Sequence, residues 1–185
     1  MLRSALRFIA GAIVGTLLWS WCGDAYHAVI ARAAEPVVNI DARLRHAEVR
    51  GAGPKVNARG NEVEPSLPRV IVPADQLTYN VILFLALFAM NKRLFRKDSL
   101  RRLAIALVVL FGVHVLALAV SIEATYASRV PGWSDARYGG MEQDFWTAAE
   151  YAYRLAGMAA VAFGCWWMTL SGPSEGRRSR EQPAA

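Results

Sequence analysis

Long apolar runs without charged side chains dominate the pattern of this 185-residue chain. Residues 8–22, 103–122 and 155–170 contain no Asp, Glu, Lys or Arg. Because about 20 residues at about 1.5 Å rise cross a hydrocarbon core of roughly 30 Å, such runs predict membrane spans. A shorter run, 81–90, reaches span length if its flanking tyrosine and basic side chains sit in the two interfaces. The pattern predicts four transmembrane helices, at 8–29, 75–93, 103–122 and 147–170.

The segment between the first two predicted helices, residues 30–74, has a different pattern. Residues 38–45 alternate apolar and polar side chains, which is the periodicity of a strand. Gly-Ala-Gly-Pro at 51–54 is a turn signal, and Arg-Val-Ile-Val at 69–72 is a second β-type run. A lone hairpin is too small to fold stably, so we expect it to lean on residues 123–146 or on a partner protein. The predicted fold class is an all-α membrane protein, a four-transmembrane-helix bundle with a small β-like extracytoplasmic insert between helices 1 and 2.

Positive charge is concentrated in residues 1–7, the turn 92–102 and the tail 171–185. These segments contain 11 of the 21 Lys and Arg residues but only 3 of the 15 Asp and Glu residues. The positive-inside rule therefore predicts that both termini and the basic turn 94–102 are cytoplasmic, and that the two longer loops face the other side. The tail is charged and low in complexity, which predicts disorder. The residues predicted to set topology and to anchor lipid headgroups are Lys92, Arg93, Arg96, Lys97, Arg101 and Arg102.

The overall charge of +6 and the pI near 9.7 would indicate nucleic-acid binding in a soluble chain. Here the topology explains the positive charge, so the expected surroundings are a lipid bilayer and we expect no nucleic-acid partner. The aromatic residues of the second long loop, 123–146, fit a belt at the membrane interface.

The first predicted helix has an alternative interpretation as a cleaved signal peptide, because Arg3 and Arg7 precede its apolar run. The nearest small-residue cleavage pattern, Ala-Arg-Ala at 31–33, lies far beyond Cys22, and Asp24 intervenes. We therefore expect a retained helix.

Candidate chemistry near the spans is sparse, and the hydrolase, zincin, P-loop and dinucleotide motifs are missing from the sequence. Cys22 as a nucleophile would need a base, but His27 is five residues further on and points elsewhere around the helix. Haem held by His27 and His114 would need ligands at one depth, and the two positions differ in predicted depth. A Cys22–Cys165 disulfide meets the same objection. We expect no cofactor, metal or catalytic residue, and both cysteines fit small apolar fillers.

Ionisable residues gather at the predicted outer interface, where such groups are costly and are usually paired or functional. Glu150 and Arg154 are spaced i,i+4 and can pair along one face, and Asp24 can pair with Arg154 across helices. The cluster either locks the bundle or forms a docking or ligand site for a partner. The candidate outer-face polar cluster consists of Asp24, His27, Glu123, Glu150 and Arg154.

The order of these pieces resembles the exosortase H-associated small integral membrane proteins of Gram-negative bacteria. The resemblance rests on the Gly60-Asn61 turn, the YNVILFLALFAMNKR helix at 79–93, and SLRRLAIALVVLFGVHVLALAVSIE at 99–123. It implies a non-enzymatic accessory protein of the bacterial inner membrane, in a system that sorts proteins with a C-terminal membrane tail. The implied partner is an exosortase or another envelope protein, contacted through the periplasmic face.

Exosortases themselves use Cys, Arg and His near the outer face, and Cys22 has no aligned His and Arg in this chain. The resemblance therefore implies an associate of the peptidase. Two alternatives remain, a cryptic membrane cysteine or acyl-transfer enzyme and a small transporter subunit.

Overall fold

The computed structural model describes residues 2–63, 66–91 and 94–170. Lys92 and Arg93, predicted to set topology, and the tail 171–185, predicted to be disordered, lie outside the described residues. The elements in chain order are α1 (Leu2–Val38), a 3-10 turn (Ala42–Leu44), β1 (Ala47–Ala52), β2 (Lys55–Gly60), β3 (Val70–Pro73), α2 (Ala74–Thr78), α3 (Asn80–Ala89), α4 (Lys97–Ser128), α5 (Trp133–Arg137), α6 (Gly140–Ala152), a π-helical turn (Tyr153–Gly157) and α7 (Met158–Leu170). The described chain is mostly helical, with one small sheet.

Two of the described helices, α1 and α4, are long and apolar enough to cross a membrane. The other two predicted spans have a different form. The predicted span 75–93 corresponds to two short helices, α2 and α3, of which the second ends at Ala89. The last predicted span, 147–170, belongs to a helical run that begins at Gly140 and passes through the π-helical turn without a break.

Helix α1 extends nine residues beyond the predicted span end at residue 29. Its last part is amphipathic at helical spacing, because Ile30, Ala31, Ala34 and Val38 form one buried stripe. The predicted strand at 38–45 was therefore wrong. Val38 is the last residue of the helical stripe, and the segment that follows contains a 3-10 turn. The alternating pattern at 38–45 therefore covers the end of a helix and a turn, and not a strand.

The three strands form an antiparallel meander in the order β1-β2-β3. The predicted turn at 51–54 is confirmed as a two-residue hairpin loop, Gly53-Pro54, flanked by the pair Ala52 and Lys55. Gly53 has φ +62°, a left-handed conformation that favours glycine over other residues. The predicted β-type run at 69–72 forms β3 and pairs with β2, which extends the expected hairpin to three strands.

The sheet packs its apolar face on α1, which was not predicted, and on the last turns of α4, which belong to the expected support 123–146. Tyr126 of α4 is fully buried, and its hydroxyl donates to the carbonyl of Pro68 (2.8 Å). The predicted loop 123–146 is mostly helical, because α4 continues to Ser128 and α5 and α6 follow. Its aromatic residues divide: Tyr126 and Tyr138 are core residues rather than members of a surface belt, whereas Phe145 is exposed.

Four helical elements pack side by side below the sheet: α1 contacts α3 and α4, and α7 contacts the same two helices. Helices α1 and α3 approach each other closely. A Cβ placed on Gly11 would lie 2.5 Å from Ala89 Cβ and 3.0 Å from Ala86 Cα, and one on Gly15 would lie 3.4 Å from Ile82 Cα. This is the close helix contact that the Gly-xxx-Gly spacing permits.

Candidate functional site

A network of buried and half-buried polar side chains crosses the helix packing from α1 to α7. The Tyr26 hydroxyl lies 2.7 Å from His114 Nδ1, and His114 Nε2 lies 2.7 Å from Asn80 Oδ1. The Asn80 amide nitrogen then donates to the backbone carbonyl of Met158 (3.2 Å). One hydrogen-bonded chain therefore joins α1, α4, α3 and α7.

The hydrogen bonds of this network determine the His114 tautomer. Because Asn80 Nδ2 donates to a carbonyl, its Oδ1 faces His114 and must accept from Nε2–H. Nδ1 then accepts from the Tyr26 hydroxyl. Both ring nitrogens are occupied by protein partners, which favours a structural role for His114.

His27 has a second structural position, between α1, the hairpin loop and α2. Its Nδ1 donates to the carbonyl of Gly53 (3.1 Å), and its Nε2 lies 3.2 Å from the Thr78 hydroxyl. The Trp19 ring packs edge-on at 5.1 Å between ring centroids. His27 thus attaches the sheet and α2 to the helix, and neither nitrogen is open to a ligand.

Glu150 is the centre of a buried ion-pair network. Its side chain is only 1% exposed, and its two oxygens bind two arginines: Oε2 lies 2.5 Å from Arg129 Nη2, and Oε1 lies 2.9 Å from Arg154 Nη2. Arg154 also donates to Gln76 Oε1 (2.9 Å). A buried carboxylate needs such partners, because an unpaired charge away from water is costly. The network ties α6 to the end of α4 and to α2.

Glu123 belongs to another cluster, at the interface between α4 and the loop before α6. Its buried carboxylate accepts a hydrogen bond from the Tyr138 hydroxyl (3.0 Å). The Arg43 guanidinium lies over the Tyr138 ring, 4.0 Å from the centroid. A cation over an aromatic face is attracted by the ring quadrupole, so Arg43 and Glu123 hold Tyr138 from two sides.

Arg43 connects two segments that lie far apart in the sequence. It pairs with Asp41 (2.9 Å) in its own turn, with Glu142 (3.1 Å) at the start of α6, and donates to the Arg137 carbonyl (3.0 Å). The Arg43 guanidinium, together with the Gly139 N–H, lowers the pKa of Glu142 below its ordinary value of 4.5. Burial, followed by the nearby Glu123 carboxylate, raises the pKa of Tyr138, so its hydroxyl keeps its proton and acts as a donor.

The five residues of the predicted outer-face cluster do not form one cluster. Within the described part of the chain, Glu150 and Arg154 are the only two members that form an ion pair with each other, with the i,i+4 pairing expected. Arg154 pairs with Glu150 and Gln76, whereas exposed Asp24 lies beside Gly53, so the Asp24–Arg154 pair was wrong. His27 and Glu123 each belong to a separate hydrogen-bonded set.

Cys22 is exposed, Cys165 is buried, and both are free thiols. Among residues 2–63, 66–91 and 94–170, no three His, Cys, Asp or Glu side chains could together hold a metal ion. In the basic turn, Arg96, Lys97 and Arg101 are exposed, while Arg102 donates to the Thr169 carbonyl (3.2 Å) at the end of α7.

Sequence reasoning missed three residues that organise this region: Asn80, Arg129 and Arg43. Asn80 carried a signal, because a lone amide at the start of an apolar run requires a buried partner. Arg129 and Arg43 carried none, since each lies in an irregular segment whose partners come from another part of the chain. No protein-family model, curated protein or solved structure matches this chain.

Proposed function

We propose that this protein is a four-span protein of the bacterial inner membrane with both termini in the cytoplasm. The observation that carries the proposal is a surface of large apolar side chains on α1, α4 and α7, away from the sheet. Trp21 of α1 is 89% exposed and Leu155, just before α7, is 82% exposed. Other members are Leu6, Ile13, Leu17, Val108, Leu116, Phe163 and Trp167. So extensive an apolar surface favours contact with lipid tails over contact with water.

The two candidate spans α1 and α4 give the bundle its length, and their neighbours complete it. Helix α3 packs against both α1 and α7, and its buried Asn80 bonds to partners on α4 and α7. These contacts support a position for α3 in the same layer as the helices that surround it. Together with the continuous helical run from Gly140 to Leu170, this supports four spans.

The charge distribution supports the proposed orientation. Exposed Arg96, Lys97 and Arg101 lie at the end where Arg102 meets the end of α7. The sheet and its ion pairs lie at the opposite end. The positive-inside rule places the basic end in the cytoplasm and therefore the sheet in the periplasm.

The proposed role is that of a non-enzymatic accessory protein that contacts a membrane partner through its periplasmic face. The polar groups that are buried near the outer interface are used inside the structure: Glu150 binds two arginines, Glu123 binds Tyr138, and His27 binds the hairpin loop. Such an arrangement favours a rigid scaffold over a reaction site. The resemblance of the sequence to exosortase H-associated proteins makes a protein-sorting system the proposed setting.

Site-specific photo-crosslinking in cells at native expression tests this role. A crosslinker replacing Arg69, directly before β3, should give an adduct with an envelope protein. The same crosslinker replacing Lys97, in the basic turn, is the matched control and should not give that adduct. Recovery of no envelope protein from crosslinkers placed across the sheet, α5 and the start of α6 would contradict the accessory role.

A further inference from the structure

The first strand of the sheet has one free edge. β1 pairs with β2 on one side, and no other described strand pairs with it on the opposite side. Because Ala52 and Lys55 flank the two-residue loop as a hydrogen-bonded pair, the backbone groups of Ala47, Val49 and Gly51 point away from β2. Ala47 and Val49 are only 3% and 1% exposed, so another chain can pair with this edge only after it displaces the side chains that cover it.

A carboxylate occupies part of this edge where a neighbouring strand would otherwise lie. Glu35 Oε2 accepts a hydrogen bond from the Val49 N–H (3.0 Å). Beside this contact, α1 and β1 enclose a groove of ≈ 450 Å³ lined by Ala28, Arg32, Glu35, Glu48, Val49, Arg50 and Gly51. The groove begins where Gly51 approaches α1 so closely that a Cβ would lie 2.7 Å from Ala28 Cα.

The charges around the groove specify what such a backbone would carry. Arg32 is exposed on α1 at the groove wall. On the outer face of the sheet, a second, smaller depression of ≈ 140 Å³ is lined by Glu48, Arg50, Asn57, Arg59 and Arg69. Arg50 and Arg59 share the carboxylate of Glu48. The two adjoining depressions thus contain four arginines against two glutamates, which complements an acidic partner and repels a second copy of the same surface.

We propose that the groove between α1 and β1 binds an extended, acidic segment of a partner protein, which adds to the sheet as a strand beside β1. The edge favours a polypeptide over a lipid headgroup, because only a peptide backbone can continue the hydrogen bonds of Ala47, Val49 and Gly51. The incoming strand replaces Glu35 at Val49, and its acidic side chains meet Arg32 and the sheet arginines. The inference names the contact surface of the accessory role proposed above and rests on it.

The test uses the full chain in phosphatidylcholine nanodiscs and a phage-displayed library of random twelve-residue peptides. Selected peptides should be acidic, and their affinity should fall by about fivefold or more in Arg32→Glu, where attraction becomes repulsion. Arg45→Glu makes the same charge change at an exposed position outside the groove and should leave affinity within about twofold. Glu35→Ala removes the competing carboxylate and should raise affinity, a gain that misfolding cannot produce.

Backbone hydrogen bonding is tested with two N-methylated versions of a selected peptide, one carrying the methyl groups on odd-numbered residues and the other on even-numbered residues. Only the version whose methylated nitrogens face β1 should lose binding. Equal binding of both methylated peptides, selection of basic or neutral peptides, or no selection would overturn the inference. So would equal losses in Arg32→Glu and Arg45→Glu. If no peptide is selected and the protein binds phosphatidylglycerol vesicles in a way that requires Arg32, the groove is a lipid surface instead. If crosslinking recovers a partner but the groove fails these tests, only the groove is wrong.

Discussion

Glu150 and Arg129 form a 2.5 Å ion pair that fastens the end of α4 to α6. The pair is asymmetric, since the carboxylate is 1% exposed and the guanidinium is 44% exposed. Arg154 binds the other carboxylate oxygen one helical turn further along the same run. The buried negative charge is therefore compensated twice, while the arginines keep part of their contact with water.

Glu150→Gln should destabilise the protein by about 2–4 kcal/mol, because it leaves two guanidinium groups around a neutral side chain. Unfolding by denaturant in detergent measures the change. Asp144→Asn makes the same charge change at an exposed position of α6 and should have little effect. Equal stability of Glu150→Gln and the wild type would show that the network does not hold the helices together.

Gly11→Ala should destabilise the contact between α1 and α3 by about 1–3 kcal/mol, because the new methyl group would overlap Ala89 Cβ and crowd Ala86 Cα. Gly112→Ala is the matched control. It changes a helical glycine of α4 with no atom within 4 Å and should be neutral or stabilising by about 0.5–1 kcal/mol. A neutral Gly11→Ala measured by thermal unfolding would contradict the close packing.

The effects of Tyr26→Phe and Asn80→Leu on stability should be non-additive, because both residues bond to His114. Each substitution removes one partner of the ring, at a cost of about 1–3 kcal/mol for a buried group left unsatisfied. The double variant should lose less stability than the sum of the two single losses, since either change alone already interrupts the hydrogen-bond network. Additive losses in a double-mutant cycle would mean that the three side chains act independently.

The free energy of unfolding should decrease on acidification, as Glu142 is protonated. Its folded pKa is held below the ordinary 4.5, mainly by Arg43, so the unfolded chain binds the proton first. The contribution of the Arg43–Glu142 pair is therefore complete above about pH 4.5 and disappears as the pH falls through the lower folded pKa. The free energies of unfolding of the wild type and of Glu142→Gln, measured from pH 7 to 3, should converge at low pH. A difference that widens on acidification would contradict the pair.

The sequence predicted best the features that depend on one continuous segment. The apolar run around His114, the turn at Gly53 and the i,i+4 pair of Glu150 and Arg154 are all local, and each was found. Helix ends were less accurate, because α1 and α4 extend well past their apolar runs to pack against the sheet. In those extensions the apolar residues are a stripe rather than a continuous run, as Ile30, Ala34 and Val38 show.

The arrangement of the polar residues depends on tertiary contacts that no local pattern contains. Tyr126 and Tyr138 were assigned to a surface belt, yet the sheet covers the first and Arg43 covers the second. Arg43 reaches Glu142, which is 99 residues away in sequence. The predicted cluster joined residues by their depth alone, whereas in the structure His27, Glu123 and Glu150 have separate sets of partners.

Reporter fusions test the four-span topology most directly. Alkaline phosphatase is active only outside the cytoplasm and green fluorescent protein fluoresces only inside it, so each is fused after residues 60, 97 and 137. We predict phosphatase activity at 60 and 137 and fluorescence at 97. Fusions at 60 and 97 that report the same side of the membrane would contradict the four-span account.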